Sequence, residues 1–177
     1  MQISNYKVMK FLADAMKTTG TRKAIATLSL TGAIGLIAGY EGFSSTAYLP
    51  TPDDVPTIGY GQTQYSDGSP VKMGDTISRE DAKMQLQIIT RQKYADALGK
   101  CVKVPLSQNE YDAYVSLAYN IGTGAFCGST LVKKLNAGDY VGACSQILRW
   151  NKQKGKVLKG LDNRRRKEYK LCMGETA

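Results

Sequence analysis

The residues between positions 41 and 57 carry side chains that are suited to cleaving a glycosidic bond. Glu41 follows an uncharged run, Asp53 and Asp54 lie in a stretch rich in Pro and Thr, and Thr57 opens the sequence TIGYG. A carboxylic acid in apolar surroundings keeps its proton and can donate it, while a second, solvated carboxylate can stabilise positive charge or activate water. Thr57 would position that water. Spacing alone favours a plainer interpretation, surface charges in a loop, because carboxylates beside turns are common.

The composition excludes several other kinds of catalysis. The 177 residues include 24 Lys and Arg, 15 Asp and Glu, four Cys and no His, for a formal net charge of +9. Without His there is no Ser-His-Asp or Cys-His catalysis and no His-ligated zinc, so proton transfer must come from carboxylates, Lys, Tyr or Cys. We expect neither a metal nor a cofactor.

The excess positive charge indicates an anionic partner, which could be nucleic acid, lipid or an acidic polymer. The chain has no nucleic-acid recognition motif and no cluster of aromatic residues for stacking on bases, so we expect no nucleic-acid partner. The C-terminal run Arg164–Lys167 fits contact with an anionic surface, a solvated helix face, or packing against helix carboxylates.

Residues 24–40 contain no charged side chain and separate a basic N-terminus from Glu41. This length lies at the lower edge of the roughly 17–25 residues that span a bilayer, and the Gly, Ser and Thr content makes insertion only marginally favourable. A cleaved secretory signal, a buried helix and a weak membrane anchor all fit. We favour the anchor, whose preceding Lys and Arg residues would stay cytoplasmic.

The chain after Glu41 divides into a strand-rich part and a helical part. Residues 41–76 lack a helical period, which predicts short strands and turns. Capping residues, apolar periodicity and glycine stops then predict helices. They cover about residues 78–98, 107–122, 129–136, 139–150 and 162–173, with a basic loop at 151–160. In the first helix the apolar positions are Ala82, Leu86, Ile89 and Tyr94. The fold class is therefore α+β and mostly helical, with a small β-hairpin region.

The four cysteines all follow the uncharged run, and they allow either two disulfides or buried free thiols. Export would favour disulfides. Three connectivities are open. One candidate joins Cys127 to Cys144, because both lie on short neighbouring helices, and leaves Cys101 for Cys172.

Several blocks of the sequence, in order along residues 41–172, resemble the phage-type lysozymes, the endolysins. The blocks are Glu41-Gly42, Ala47-Tyr48, Pro56–Gly61, Pro105–Ala113, Asn120–Gly122, Phe126, Ser129–Leu131, Leu135–Tyr140, Arg149-Trp150, Gly160-Leu161, Arg164-Arg165 and Glu168. The uncharged run ahead of Glu41 is similar to the arm of the signal-arrest-release endolysins of lambdoid phages and prophages.

The resemblance implies a lysozyme-like catalytic domain over residues 41–177 and a basic N-terminal arm over residues 1–40, with the arrest segment at 24–40. The implied substrate is peptidoglycan, cleaved at the β-1,4 bond between N-acetylmuramic acid and N-acetylglucosamine for host cell lysis. Glu41 would be the general acid, Asp54 or else Asp53 the partner carboxylate, and Thr57 the holder of the water. Tyr119 and Ser129 would contact sugars, although core packing and helix capping are equally good explanations for these two residues.

The sequence departs from the family pattern at two positions. Pro50 stands where the family has its Asp, and the interval from Glu41 to Thr57 is one residue longer, which is why Asp53 and Asp54 are the candidates. Gln62 stands where the family often has His. The departure at Pro50 keeps a lytic transglycosylase open as an alternative, and an inactive cell-wall-binding protein is another.

The resemblance also implies where the protein works. The expected location is the host inner membrane and then the periplasm of a Gram-negative host, with the gene carried by a phage or prophage. The position of Glu41 directly after this segment suggests a hypothesis of regulation: Glu41 would be held at the lipid surface while residues 24–40 span the bilayer, and release would let the segment fold onto the domain. We expect the protein to be a monomer.

Overall fold

The computed structural model describes residues 20–175, so the N-terminal part of the predicted basic arm lies outside the described residues. Eight α-helices are present in this range: α1 Thr31–Glu41, α2 Arg79–Ile89, α3 Asp96–Cys101, α4 Gln108–Ile121, α5 Thr123–Cys127, α6 Thr130–Asn136, α7 Tyr140–Gln146 and α8 Lys159–Cys172. Two hairpins accompany them, built from β1 Ser44–Tyr48, β2 Thr57–Gly59, β3 Lys152–Gln153 and β4 Lys156–Val157. The predicted class, mostly helical α+β with a small hairpin, is confirmed.

Helix α4 is the centre of the core, and every residue from Glu110 to Ala118 is buried. A helix that is buried on all sides must be surrounded by other elements, and here α1 and α8 pack against it. The predicted capping box begins the helix: Ser107 Oγ accepts from the Glu110 amide at 3.2 Å, and Glu110 Oε2 accepts from the Ser107 amide at 2.8 Å.

The uncharged segment lies against α4 as a short 3-10 turn, Ile25–Thr27, followed by α1. Ala33, Ile34 and Ile37 are the buried residues of α1. Asp112 of α4 caps this helix, because its Oδ1 accepts from the Ala33 amide at 3.1 Å. Within residues 20–175, no helix combines the length and the apolar character needed to cross a bilayer.

The first hairpin pairs β1 and β2 antiparallel, with Ser44 opposite Gly59 and Tyr48 opposite Thr57. Its inner face holds a small apolar cluster of Ala47, Ile58 and Val71, separate from the main core. The hairpin therefore forms a small lobe, which joins the helical core through residues 60–62 and α2.

The predicted basic loop at 151–160 is wrong in part, because strands β3 and β4 form a second hairpin there. Lys154 and Gly155 connect the strands with φ values of 48° and 78°. Two successive residues with positive φ are typical of the tight turns that join antiparallel strands. The polar, exposed character of these strands hid them in the sequence, since neither face is apolar.

The first long helix runs further than predicted and changes its winding. Helices α2 and α3 are joined without a break by a π-helical turn, Thr90–Ala95. The buried positions along this continuous helix are Ala82, Leu86, Thr90, Ala95 and Leu98. The step of five residues from Thr90 to Ala95 matches the wider π winding.

Two disulfides are present, and the candidate pairing is wrong. Cys101 is bonded to Cys127, and Cys144 is bonded to Cys172, with Cα–Cα distances of 5.7 Å in both pairs. The reason is the packing of the helices: α5 contacts α3, and α7 contacts α8. Proximity along the chain misled the prediction, because the helices that carry Cys127 and Cys144 each pack against a more distant element.

Candidate active site

Glu41 is the last residue of α1, at the point where the core meets the small lobe. Gly42 follows with a φ of 71°, a conformation that glycine adopts without strain, so the helix stops and the chain turns into β1. The Glu41 side chain is 26 % exposed. It is therefore anchored on a packed helix while its carboxylate still reaches solvent.

Arg164 of α8 binds Glu41 directly, with 2.7 Å between Nη1 and Oε1. The arginine side chain is only 7 % exposed, and its guanidinium lies over the ring of Tyr40 at 4.6 Å from the centroid. Its other nitrogens donate to Glu168 Oε1 at 3.2 Å and to the Ser116 carbonyl at 3.3 Å. One oxygen of Glu41 is thus fixed from the core side.

Glu168 joins this arrangement to a second arginine. Its side chain is fully buried, Ser116 Oγ donates to Oε1 at 2.7 Å, and Arg165 Nε lies 2.8 Å from Oε2. Burial raises the pKa of Glu168, while Arg165, Ser116 and Arg164 act in the opposite direction. Of the three interpretations of the basic run, packing against carboxylates is correct for Arg164 and Arg165, whereas Arg166 and Lys167 are exposed.

The second oxygen of Glu41 faces the small lobe at Gly61. A Cβ atom on Gly61 would lie 3.4 Å from Glu41 Oε2, and the glycine has a φ of 85°. The neighbouring Gln62 is buried and holds this part of the chain in place. Its Oε1 accepts from the Tyr60 amide at 2.8 Å, and its Nε2 donates to the Ala82 carbonyl at 3.3 Å.

An aromatic pair forms the wall beside Glu41. The hydroxyl of Tyr119 donates to the Tyr60 carbonyl at 3.0 Å, and its ring packs on Tyr94 with 4.9 Å between centroids. Burial and then the negative charge of Glu41 raise the pKa of both tyrosines. Both side chains therefore stay neutral and present an apolar face with a hydrogen-bonding edge.

The cleft that runs past this wall has a volume of about 210 Å³. One side is formed by the small lobe, through residues 61–66 and Gly68, and the other by Ile89, Gln92, Lys93, Tyr94 and Tyr119. The arrangement suits an extended polar ligand, because amide and hydroxyl groups face an aromatic surface across an open groove.

The other predicted catalytic residues lie on the hairpin. Asp53 and Asp54 are exposed on the turn between β1 and β2, where Asp54 Oδ1 accepts from the Val55 amide at 2.9 Å. Thr57 is buried, and its hydroxyl donates to the Val55 carbonyl at 3.1 Å. The structure thus places Glu41 close to two residues of the cleft, Gly61 and Tyr119, and places the two aspartates on the exposed turn of the small lobe.

Ser129 has a capping role. Its Oγ accepts from the Val132 amide at 3.3 Å at the start of α6. It also borders a separate hollow of about 370 Å³, together with Gln146, Arg149 and Trp150 among others. Capping and ligand contact are compatible here, because Ser129 both caps α6 and lines the hollow.

Sequence reasoning missed the pairing of Glu41 with Arg164 and the presence of Tyr94 in the aromatic wall. One signal for this network was available in the sequence. Arg164 lies four residues before Glu168 and Arg165 three residues before it, and these spacings bring both arginines next to Glu168 on the helix surface. Among residues 20–175, no group of three or more Cys, Asp or Glu is arranged to hold a metal ion.

Comparison with known proteins gives a consistent set of relatives. The family model described as phage lysozyme matches residues 38–168. The SAR-endolysin of Enterobacteria phage P21 is 34 % identical over 167 residues, which cover 91 % of this chain and 93 % of that relative. The endolysin of Bacillus phage B103 is 42 % identical over 141 residues, 79 % of this chain, but the chain spans about half of that relative's length, 52 %.

A solved structure of an endolysin has a fold similar to that of this chain. The endolysin from Escherichia coli O157:H7 phage FAHEc1 superposes with a TM-score of 0.73 at 41 % identity, covering 82 % of this chain and 93 % of that one. The match to the family model begins at residue 38 and therefore includes Glu41 as well as the hairpin, the cleft and α8 as far as Glu168.

Proposed function

The chain belongs to the phage lysozyme family, and on that premise we propose that it is a muramidase that degrades peptidoglycan. The bond it hydrolyses is the β-1,4 link between N-acetylmuramic acid and N-acetylglucosamine, and no cofactor takes part. The observation that carries this proposal is the position of Glu41, held by Arg164 on one oxygen and facing Gly61 of the cleft with the other.

Glu41 acts as the general acid. Arg164 donates to Oε1 and leaves Oε2 as the oxygen that can carry a proton toward the glycosidic oxygen of a sugar in the cleft. Arg164 is a positioning residue in this scheme, since it orients the carboxyl group from the core. Tyr119 contacts the sugar in the cleft, and Ser129 contacts sugar at the separate hollow that it borders.

The hairpin supplies the second half of the reaction. Asp54 is the partner carboxylate, with Asp53 as the alternative, and either would activate water or stabilise the developing positive charge. The Thr57 hydroxyl already donates to the Val55 carbonyl, so its oxygen lone pairs remain to accept from that water.

A lysis assay tests the assignment of the acid. Glu41→Gln keeps the size of the side chain and removes the proton donor, so turbidity clearing of permeabilised Gram-negative cells should fall by roughly 10²–10⁴-fold. Glu80→Gln, an exposed carboxylate at the start of α2, is the matched control and should clear cells at the wild-type rate. Clearing by the Glu41 variant at the control rate would refute the proposal.

Product analysis separates the proposed hydrolysis from the alternative reaction. Hydrolysis yields reducing muramic acid ends, whereas a lytic transglycosylase yields 1,6-anhydro ends without consuming water. Anhydro products would replace the muramidase assignment with the transglycosylase. Wild-type protein that binds cell walls but releases no fragments would instead support an inactive wall-binding protein.

We also propose that residues 24–40 pass through the inner membrane before they dock as seen here, and that the enzyme then works as a monomer in the periplasm of a Gram-negative host. The division into an arm over residues 1–40 and a domain over residues 41–177 belongs to this proposal. Support comes from the similarity to the arrest segment and from the apolar side of α1. Fractionation with and without an uncoupler tests it, since protein that never enters the membrane fraction would contradict the membrane stage.

A further inference from the structure

The chain makes a tight three-residue turn between Ile58 and Gln62, directly beside Glu41. Two backbone hydrogen bonds close the turn, because the Ile58 amide donates to the Gln62 carbonyl at 2.9 Å and the Gln62 amide donates to the Ile58 carbonyl at 3.0 Å. Gly59 and Gly61 have φ values of 64° and 85°, a region that glycine adopts without strain. Two of the three turn residues therefore carry no side chain, and the turn depends on neighbouring groups to keep its shape.

Gln62 links this turn to α2. The residue is 5 % exposed, its Oε1 accepts from the Tyr60 amide at 2.8 Å, and its Nε2 donates to the Ala82 carbonyl at 3.3 Å. A Cβ atom on Gly59 would collide with Gln62 Oε1, so the glutamine amide fills the space that a side chain at position 59 would need. Only a side chain that offers both an acceptor and a donor can make the same two bonds.

Tyr60 is held on both sides of its backbone. Its amide donates to Gln62, and its carbonyl accepts from the Tyr119 hydroxyl on α4 at 3.0 Å. Tyr60 itself is buried, and its ring packs on Phe43 with 5.5 Å between centroids. The turn is therefore fastened to α2 through Gln62 and to α4 through Tyr119, and the next residue along the chain is Gly61.

Gly61 is the part of the turn that meets the general acid. A Cβ atom on Gly61 would lie 3.4 Å from Glu41 Oε2, so the backbone of this glycine lies close to the oxygen and limits its movement. Arg164 holds the other oxygen, Oε1, at 2.7 Å. If the turn shifted away from Glu41, the carboxyl group could rotate out of its orientation, and the Tyr119 hydroxyl would lose its acceptor.

We propose that Gln62 is a positioning residue for the general acid, because it holds the turn in the place where Gly61 keeps Glu41 Oε2 directed at the cleft. This inference rests on the proposed function. Gln62 borders the cleft, but its side-chain oxygen and nitrogen are both bonded to backbone groups of the protein. It therefore acts through Tyr60 and Gly61, and it takes no part in proton transfer at the glycosidic bond.

Steady-state release of reducing ends from soluble, uncrosslinked peptidoglycan tests the proposal. Gln62→Met keeps the approximate size of the side chain and removes both hydrogen bonds. We expect kcat to fall about 10–100-fold, because a misplaced reacting group has effects of this size, with KM changed by less than about threefold. The matched control is Gln85→Met: Gln85 Oε1 also joins α2 to the small lobe, through the Ser66 amide at 2.7 Å, but away from the turn. This control should keep kcat within about twofold of wild type.

A second variant, Gln62→His, gives a readout that lost stability alone would not change. A neutral imidazole accepts at one nitrogen and donates at the other, so it can replace both bonds, whereas a protonated imidazole can only donate. The ratio of variant to wild-type kcat should be close to one above about pH 7.5 and fall about tenfold below about pH 6. Two charged groups near the turn, Glu41 and Arg79, whose guanidinium lies 4.3 Å from the centroid of the Phe43 ring, are common to both proteins, so the ratio isolates the imidazole. Circular dichroism and thermal melting at each pH confirm that the variants are folded.

The outcomes separate this inference from the proposed function. Folded Gln62→Met with the kcat of the Gln85→Met control would overturn the positioning role while leaving the muramidase intact. A kcat ratio for Gln62→His that stays the same at every pH would overturn it as well, and this arm decides the matter if Gln62→Met does not fold. Wild-type protein that releases no reducing ends would overturn the muramidase and the positioning role together.

Discussion

Glu41 and the aspartates of the hairpin turn are positioned by opposite means. Glu41 is held by a buried arginine, which is itself held by Glu168 and by the Ser116 carbonyl. Asp53 and Asp54 are exposed on a turn, where the Asp54 carboxylate accepts one hydrogen bond, from the Val55 amide. Glu41 is therefore anchored in the core, whereas the two aspartates lie on a surface turn of the small lobe. The difference implies that changes near Glu41 affect stability and activity together, whereas changes on the turn affect activity alone.

Removal of the Glu168 charge should give the largest effect. In Glu168→Gln, the guanidinium of Arg165, which is fully buried, loses its charged partner, and so does Arg164. Breaking a buried ion pair from one side costs about 3–5 kcal/mol of the free energy of unfolding. Urea denaturation measures it, with Glu80→Gln as the exposed control. A loss below about 1 kcal/mol would show that the core wall is not held by this network.

The pH dependence of stability tests how the start of α1, the helix that carries Glu41, is held. Burial raises the pKa of Asp112 to about 6, although hydrogen bonds from Gln108 and Ala33 oppose the shift. The folded chain therefore keeps a proton that the unfolded chain has already lost between about pH 4 and 6. The contribution of Asp112 to stability then falls as pH rises through this window, by roughly 2–3 kcal/mol.

Thermal or urea unfolding of wild type and Asp112→Asn between pH 3.5 and 7 checks this expectation. Asparagine keeps an acceptor for the Ala33 amide and removes the titration. The stability of Asp112→Asn should therefore decline less than that of the wild type as pH rises. Asp96→Asn, at an exposed position on α3, should retain the wild-type slope. Identical slopes for wild type and Asp112→Asn would rule out the effect.

Substitution of the arginine that holds Glu41 should lower the rate more than the affinity. Arg164→Met leaves Oε1 of Glu41 without its donor, so the acid is no longer oriented. We expect kcat to fall about 10–100-fold with little change in KM, because misplacement of a reacting group by about 1 Å has effects of this size. The control is Arg166→Met, which removes an exposed arginine two residues further along the same helix and should retain wild-type kcat. A similar kcat for both variants would contradict the positioning role.

The hairpin turn should give the smallest effects on stability. Asp53→Asn and Asp54→Asn change exposed side chains, so each should alter the free energy of unfolding by less than about 0.5 kcal/mol. The two should differ in lysis, with Asp54→Asn losing the larger share of activity. Denaturation and turbidity clearing on the same preparations decide this. A loss of stability above about 1 kcal/mol in either variant would contradict the contrast between the core around Glu41 and the exposed turn.

Local features were readable from the sequence because their causes are local. Ser107 and Glu110 form the predicted capping box, and the helix that follows ends at Gly122 as expected. Asp139 likewise caps the helix after Gly138, where its Oδ1 accepts from the Gly142 amide at 2.8 Å. Each of these signals involves residues within four positions of one another, so no knowledge of the fold is needed to interpret them.

Some local signals were present but ambiguous. The predicted apolar stripe contained a step of five from Ile89 to Tyr94, and the structure has a π-helical turn there. A single irregular step also occurs in ordinary helices, since one face tolerates steps of three and four with occasional gaps. Helix α5, Thr123–Cys127, was not predicted because five residues are too few to show a period.

The chemistry available to this protein was determined by the sequence alone. The absence of His limited proton transfer to carboxylates, Lys, Tyr or Cys, the carboxylates around Thr57 favoured Glu and Asp, and the helical pattern defined the fold class. Tertiary structure alone decided which groups meet. Arg164 binds Glu41, which lies 123 positions earlier in the chain, and Cys101 and Cys144 form disulfides with cysteines on other helices. Residue types and short spacings follow from local physics, whereas distant pairings depend on how helices pack, which no short stretch of sequence encodes.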